Sequence, residues 1–160
     1  MPPALRWLAA ALASAGLAAT AAADEPWIAV IAEAGQQASI DSAALARIYR
    51  RRTQVDGEGR RYIPVNLPAD QPLRRRFSRA VLGVEPEALD AYWNQQYFLG
   101  VTPPHVLGSE AAVSRFVAAT PGAIGYRGAC PDDSAVRVIL LIDPAGALHP
   151  PGAAPACPPP

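Results

Sequence analysis

The stretch Phe116–Tyr126, FVAATPGAIGY, predicts the end of a helix, a sharp stop and a short strand. The apolar face of the helix runs to Val117. Pro121 cannot continue the helix, and Gly122 accepts the positive φ that commonly follows a helix end. Gly125, inside the strand, indicates that another element packs closely against the backbone. Taken alone this is a common helix-to-strand turn, and the surrounding chain decides what it belongs to.

The first 23 residues have the pattern of a secretory signal peptide. Arg6 supplies positive charge, Trp7–Ala19 is apolar, and Ala21–Ala23 offers a small-residue cleavage site before Asp24. The apolar run is short for a membrane span, so we predict none after cleavage. The predicted location is the periplasm. An uncleaved N-terminal anchor is the alternative.

Removal of residues 1–23 leaves 137 of the 160 residues, enough for one domain with a core. We predict this domain at residues 24–143, followed by a Pro-rich, disordered tail at 144–160. Cys130 and Cys157 lie in a chain that is predicted to be exported. An oxidising compartment favours a disulfide between them.

Apolar runs, caps and helix breakers predict the element order β-α-β-α-α-α-β-β. Trp27–Ala32 and Val136–Ile142 have the composition of buried strands. Pro64 lacks a donor and places the strand Arg61–Leu67 at an edge or in irregular structure. Strands separated by helices favour an α/β fold, with a mixed, mostly parallel sheet flanked by helices.

The helices are predicted from their caps and apolar stripes. Asp41 or Ser42 caps the first, and Ser109 caps the last. Asp70 or Gln71 caps the second, with Pro72 in its first turn. A third helix begins at Pro86, and its buried stripe is expected to contain the side chains Leu89, Trp93 and Tyr97.

The sequence shows no set of residues suited to catalysis or to a metal. His105 and His149, the two histidines, lie in a loop and in the tail, and the expected role of both is that of exposed residues. No nucleophile–base pair, zinc-ligand cluster or Gly-rich phosphate loop is visible. We therefore predict no enzyme activity, no metal and no cofactor.

Arginines are concentrated in one region. The chain has no lysine, and ten of its fourteen arginines lie between Arg47 and Arg79, against three acids, an excess of about seven charges. The formal net charge of the whole chain is zero, and nucleic acid is not an expected partner. Arg74 and Arg75, at the start of the helix after Gln71, are candidates for holding an oxyanion. A solvated helix face is the alternative.

Five segments, in this order, resemble the substrate-binding proteins of phosphate ABC transporters, in their short form with a single PBP-like domain. They are Leu45–Gly59 (LARIYRRRTQVDGEG), Tyr62–Asn66 (YIPVN), Arg76–Gly83 (RFSRAVLG), Tyr92–Gly100 (YWNQQYFLG) and Val113–Tyr126 (VSRFVAATPGAIGY). The resemblance extends over about Ile28–Ile142. It implies one periplasmic-binding-protein-like (type 2) lobe, whereas full-length members have two lobes that close on an oxyanion.

The resemblance also locates the anion site. The family grips phosphate with an Arg and a Ser-Gly-Thr turn at a helix N-terminus, which fall here near Asn66 and at Gln71–Leu73. No hydroxyl remains at these positions, and Pro72 removes one backbone donor. The implied function is weak binding of a small, phosphate-like oxyanion by Gln71, Arg74 and Arg75, with Asn66 lining the site. A transport permease would be the partner.

The departure from the family pattern supports a second hypothesis. The chain would be a periplasmic interaction or sensory accessory domain that has lost the phosphate site. Its partner would be a membrane sensor or another envelope protein.

Overall fold

The computed structural model describes residues 25–35, 40–130, 133–153 and 157. The predicted signal peptide lies outside them. The elements are β1 (Ile28–Glu33), α1 (Ser42–Tyr49), β2 (Ile63–Asn66), α2 (Pro72–Phe77), α3 (Asp90–Phe98), β3 (His105–Val106), α4 (Glu110–Ala119), β4 (Ala123–Gly128), β5 (Val136–Ile142) and β6 (Leu148–His149). A π-helical segment, Ser78–Leu82, continues α2, and a 3-10 segment, Pro86–Leu89, leads into α3. In the part of the chain that is described, no helix is long and apolar enough to cross a bilayer.

One sheet organises the domain, with the strand order β3-β2-β4-β1-β5-β6. β2 is parallel to β3 and β4, whereas β1 is antiparallel to β4 and β5, and β5 is antiparallel to β6. The prediction of an α/β fold with a mixed sheet flanked by helices is confirmed. The sheet is not mostly parallel, because β1 runs against both of its neighbours. A buried strand pattern does not reveal that direction.

In the sheet that the structure describes, β2 is unpaired on one side at Pro64. β3 pairs only with Val65 and Asn66, so β4 is the one neighbouring strand at Pro64 among the described residues. A residue without an N–H donor costs no sheet hydrogen bond on the unpaired side. The predicted edge is therefore present only locally, at Pro64, and β2 is not an edge strand, because β3 lies beyond it in the sheet.

Two of the three predicted helix caps form side-chain hydrogen bonds. Asp41 caps α1, and its Oδ1 accepts a hydrogen bond from Ala44 N at 2.7 Å. Ser109 caps α4, and its Oγ accepts from Ala112 N at 3.2 Å. Gln71 is the N-cap residue of α2 and makes no side-chain cap bond.

The side chains of β4 alternate between two helical layers. At Gly125, α4 packs on the strand so closely that a Cβ atom would lie 2.4 Å from Val113 Cγ1, which confirms the predicted close approach. On the other face, the ring of Tyr126 stacks on Phe77 with 3.8 Å between centroids. Tyr49 of α1 completes this aromatic cluster, 4.7 Å from Phe77. The core thus lies on both faces of the sheet.

α3 is more exposed than predicted. Leu89 is buried, but Trp93 is only half-buried and Tyr97 is 70% exposed. The predicted stripe assumes one continuous helix from Pro86, whereas α3 begins after a 3-10 turn, which has a different number of residues per turn. The helix therefore ends in exposed aromatic side chains.

The sheet continues beyond residue 143, the predicted end of the domain. β6 pairs with Leu141 and Ile142 of β5. His149 Nε2 lies 2.8 Å from Asp143 Oδ2. This hydrogen bond is the main reason why the pKa of Asp143 lies below its usual value. The first residues of the predicted tail therefore belong to the sheet. Residues 154–156 and 158–160 of that tail lie outside the described residues.

Cys130 and Cys157 form the predicted disulfide, with their Cα atoms 5.5 Å apart and a sequence separation of 27. The bond ties residue 157 to the loop after β4.

We expect the double variant Cys130→Ser/Cys157→Ser to lose up to about 3.5 kcal/mol of unfolding free energy, because the unfolded chain regains the entropy of an open loop. Urea unfolding followed by circular dichroism measures the loss. Wild-type protein in reducing agent should unfold like the variant. A variant as stable as the oxidised protein would show that this loop contributes nothing to stability.

Candidate functional site

The carboxyl end of β2 brings Asn66 and Arg74 together. Asn66 is the last residue of β2, and the short loop to Gln71 returns the chain so that the first turn of α2 lies over it. Arg74 Nη1 donates a hydrogen bond to Asn66 Oδ1 at 2.5 Å. Arg74 is 7% exposed and Asn66 is 5% exposed, so this polar pair is part of the interior.

Tyr126 of β4 joins the pair. Its hydroxyl donates to Asn66 Oδ1 at 3.3 Å and accepts a hydrogen bond from Leu67 N at 3.1 Å. From sequence, only a short strand was predicted at Tyr126, and this contact was missed. The available signal was the residue type, because a tyrosine on an inward strand position needs a polar partner for its hydroxyl.

The charge of Arg74 has no carboxylate partner among the described residues. Burial raises the pKa of Tyr126 and, more strongly, of Tyr49, while the charge of Arg74 acts in the opposite direction on both. Both phenols are therefore neutral at pH 7. A buried cation that faces only neutral dipoles is costly for the protein and attracts an anion.

Gln71 lies at the same edge of the sheet, where it joins the starts of two helices. Its Nε2 donates to Gly108 O at 3.2 Å, just before the cap of α4 at Ser109. Leu107 N donates to Asn66 O at 2.8 Å, which ties this loop to the end of β2. The positive end of the α4 dipole therefore lies at the edge where Asn66 ends β2.

One carboxylate reduces this positive character. Glu110, in the first turn of α4, accepts a hydrogen bond from Gly128 N through Oε2 at 2.6 Å. Its negative charge offsets the dipole of α4, so Arg74 is the main source of positive potential at this end of β2.

Arg75 points to a different surface. Its guanidinium contacts the carboxylate of Glu87 and lies 3.3 Å from Glu85 Oε2. A cation held by two carboxylates has little capacity left for a free anion. The structure brings Asn66, Gln71 and Arg74 to one edge and does not bring Arg75 to them.

The arginine-rich region is less positive than its sequence suggests, because acids from elsewhere in the chain fold onto it. Arg76 Nε lies 2.8 Å from Glu25 Oε2, and Arg79 Nη1 lies 2.8 Å from Glu85 Oε1. Local composition counts only acids nearby in sequence and cannot include these partners. Among the described residues, no group of three or more His, Cys, Asp and Glu side chains could hold a metal ion.

Solved structures with a similar fold are binding proteins of phosphate transport. A phosphate ABC transporter substrate-binding protein from Clostridium perfringens, determined with bound phosphate, has a TM-score of 0.58 and 16% identity, over 71% of this chain and 45% of that chain. An ABC-type phosphate transport receptor from Vibrio cholerae has a TM-score of 0.56 and 16% identity, over 71% and 46%. The chain thus spans less than half the length of either. No protein-family model and no curated protein sequence matches it.

Proposed function

We propose that this chain is a periplasmic, single-lobe solute-binding domain that binds a small oxyanion of the phosphate type. The observation that carries the proposal is Arg74, a buried cation whose hydrogen-bond partner, Asn66, is neutral. The fold similarity to phosphate-binding proteins and the predicted signal peptide support it.

The chemistry of the site suits weak binding. A hydrogen bond from a charged donor contributes about 1.5–3 kcal/mol. Two such bonds from Arg74, with help from the Gln71 amide, give about 4 kcal/mol, which corresponds to a dissociation constant of about 1 mM. Asn66 and Tyr126 orient the guanidinium and do not need to touch the anion. Because the Ser-Gly-Thr turn is missing, we expect no higher affinity for the anion.

We expect the purified mature domain to give heat on titration with inorganic phosphate, with a dissociation constant of about 1 mM. Sulfate and small carboxylates should compete, because a guanidinium recognises the planar pair of oxygens that they share. The affinity should fall as salt rises. Isothermal titration calorimetry at two ionic strengths measures both effects.

Glycerol, a neutral solute of similar size, is the control and should give no heat. Titrations of phosphate, sulfate and acetate that remain silent up to millimolar concentration would overturn the proposed function.

The second candidate is an interaction or sensory accessory domain. Exposed apolar side chains at the end of α3 favour it, since Tyr97, Phe98 and Leu99 are 70%, 87% and 70% exposed. Large apolar side chains exposed side by side are a frequent sign of a protein contact. We favour anion binding, because one structural neighbour is a substrate-binding protein with bound phosphate and the other is a phosphate transport receptor. A transport permease or a membrane sensor is the partner that either function would require, and co-purification from envelope extracts tests it.

A further inference from the structure

A cavity lies near the start of β2, at the opposite end of the strand from Asn66. Its volume is about 210 Å³, and its walls come from the end of α1, the start of β2 and the segment that leads into β3. Its lining includes Arg51, Arg61, Thr102, Pro103, Pro104 and His105. Among the described residues, no acidic side chain lines it.

Arg51, which lines this cavity, has an unfavourable backbone conformation. Its φ is +58°, the only positive φ of a non-glycine residue in the part of the chain that is described. Arg51 directly follows Arg50, the C-cap of α1. Glycine is the usual residue at this position after the cap, because it has no Cβ. A non-glycine residue kept in a strained conformation is a reason to look for a role of its side chain.

Within the described part of the chain, neither arginine of the cavity forms an ion pair with an acidic side chain. Arg51 Nη1 donates to Tyr62 O at 3.1 Å, and its Nε is buried with no hydrogen-bond partner among the described residues. Both arginines line the same cavity, and the pKa of Arg51 is lowered first by burial and then by the positive charge of Arg61. The carboxylates of the same turn, Asp56 and Glu58, both pair with Arg60.

We propose that this cavity binds a small organic anion, a carboxylate or a phosphate monoester. The anionic group contacts Arg51 and Arg61 and relieves the repulsion between them. Pro103 and Pro104 offer an apolar wall for the body of the ligand, and Thr102 and His105 offer hydrogen-bonding groups. The site is separate from Asn66, because it adjoins Ile63 and Pro64 at the other end of the strand.

Benzoate and phenyl phosphate are the probes, with benzyl alcohol as the uncharged control. We expect both anions to bind the wild-type domain, as measured by calorimetry and by NMR shifts of residues 102–105. Arg51→Gly and Arg61→Gln should each weaken binding at least about tenfold, the effect of losing one charge-assisted hydrogen bond. Arg47→Gln, which removes an exposed arginine of α1 outside the cavity, should bind like wild type.

The Arg51→Gly variant also separates function from folding. Glycine accepts a φ of +58° without strain, so the melting temperature should stay the same or rise while binding is lost. Arg61→Gln, at an exposed position, gives a second variant that is expected to fold. The proposal is wrong if neither anion binds up to millimolar concentration, if benzyl alcohol binds equally well, or if both variants bind like wild type.

Discussion

Replacing Gly125 by alanine is expected to destabilise the folded domain by about 3 kcal/mol, the upper range for an overpacked core. The added Cβ would lie 2.4 Å from Val113 Cγ1, 2.9 Å from Val65 Cγ2 and 3.1 Å from Val117 Cγ2. All three are β-branched side chains with few alternative rotamers. α4 would therefore have to move away from β4, and urea unfolding measures the cost.

A second substitution tests the cause of this effect. Val113→Ala in the Gly125→Ala background removes the closest methyl group, and the double variant should be more stable than the sum of the two single effects predicts. Gly57→Ala is the matched control, because no atom lies within 4 Å of a Cβ at that position and its φ is not positive. Strict additivity of the two single effects would contradict a steric contact between Gly125 and α4.

The sequence predicted those features that depend on neighbouring residues. The stop at Pro121, the positive φ of 80° at Gly122 and the close approach at Gly125 all follow from the types of residue in one short stretch. The caps at Asp41 and Ser109 follow from side chains that bond three residues ahead. Such local chemistry does not depend on how the sheet is ordered.

Features that depend on contacts between residues far apart in sequence were not predictable in the same way. The excess of arginine between Arg47 and Arg79 is offset partly by Glu25, which lies 51 positions before Arg76 in sequence and contacts it in the fold. The antiparallel placement of β1 between β4 and β5 is likewise set by packing and not by the composition of the strand.

The candidate site was predictable in part. The resemblance pointed to the loop after β2. Arg74 lies three residues before Phe77, so these two side chains lie on the same face of the helix. That spacing could have separated Arg74, which is buried with Phe77, from Arg75, which pairs with Glu87. The contribution of Tyr126 depends on the pairing of β2 with β4, which one sequence does not show.

Replacing Arg74 by methionine is expected to abolish anion binding and leave the domain at least as stable as wild type. Loss of two charge-assisted hydrogen bonds, worth about 3 kcal/mol together, reduces phosphate affinity about 100-fold. Methionine has a similar volume and removes a buried charge, and replacement of buried charges by apolar groups is often neutral or stabilising, by about 1 kcal/mol or more. Asn66 Oδ1 keeps the hydrogen bond from Tyr126.

Calorimetry and urea unfolding of the same preparation measure the two effects, with Arg75→Met as the matched control. Arg75 is adjacent in sequence, has a side chain that is 37% exposed and pairs with glutamates, so its loss should change stability by about 1 kcal/mol or less and leave phosphate binding intact. A purely structural Arg74 would give the opposite result, because its removal would then destabilise the domain and leave any anion affinity unchanged. An anion site requires a buried arginine whose charge lowers the stability of the domain. Its replacement should therefore remove phosphate binding without destabilising the fold.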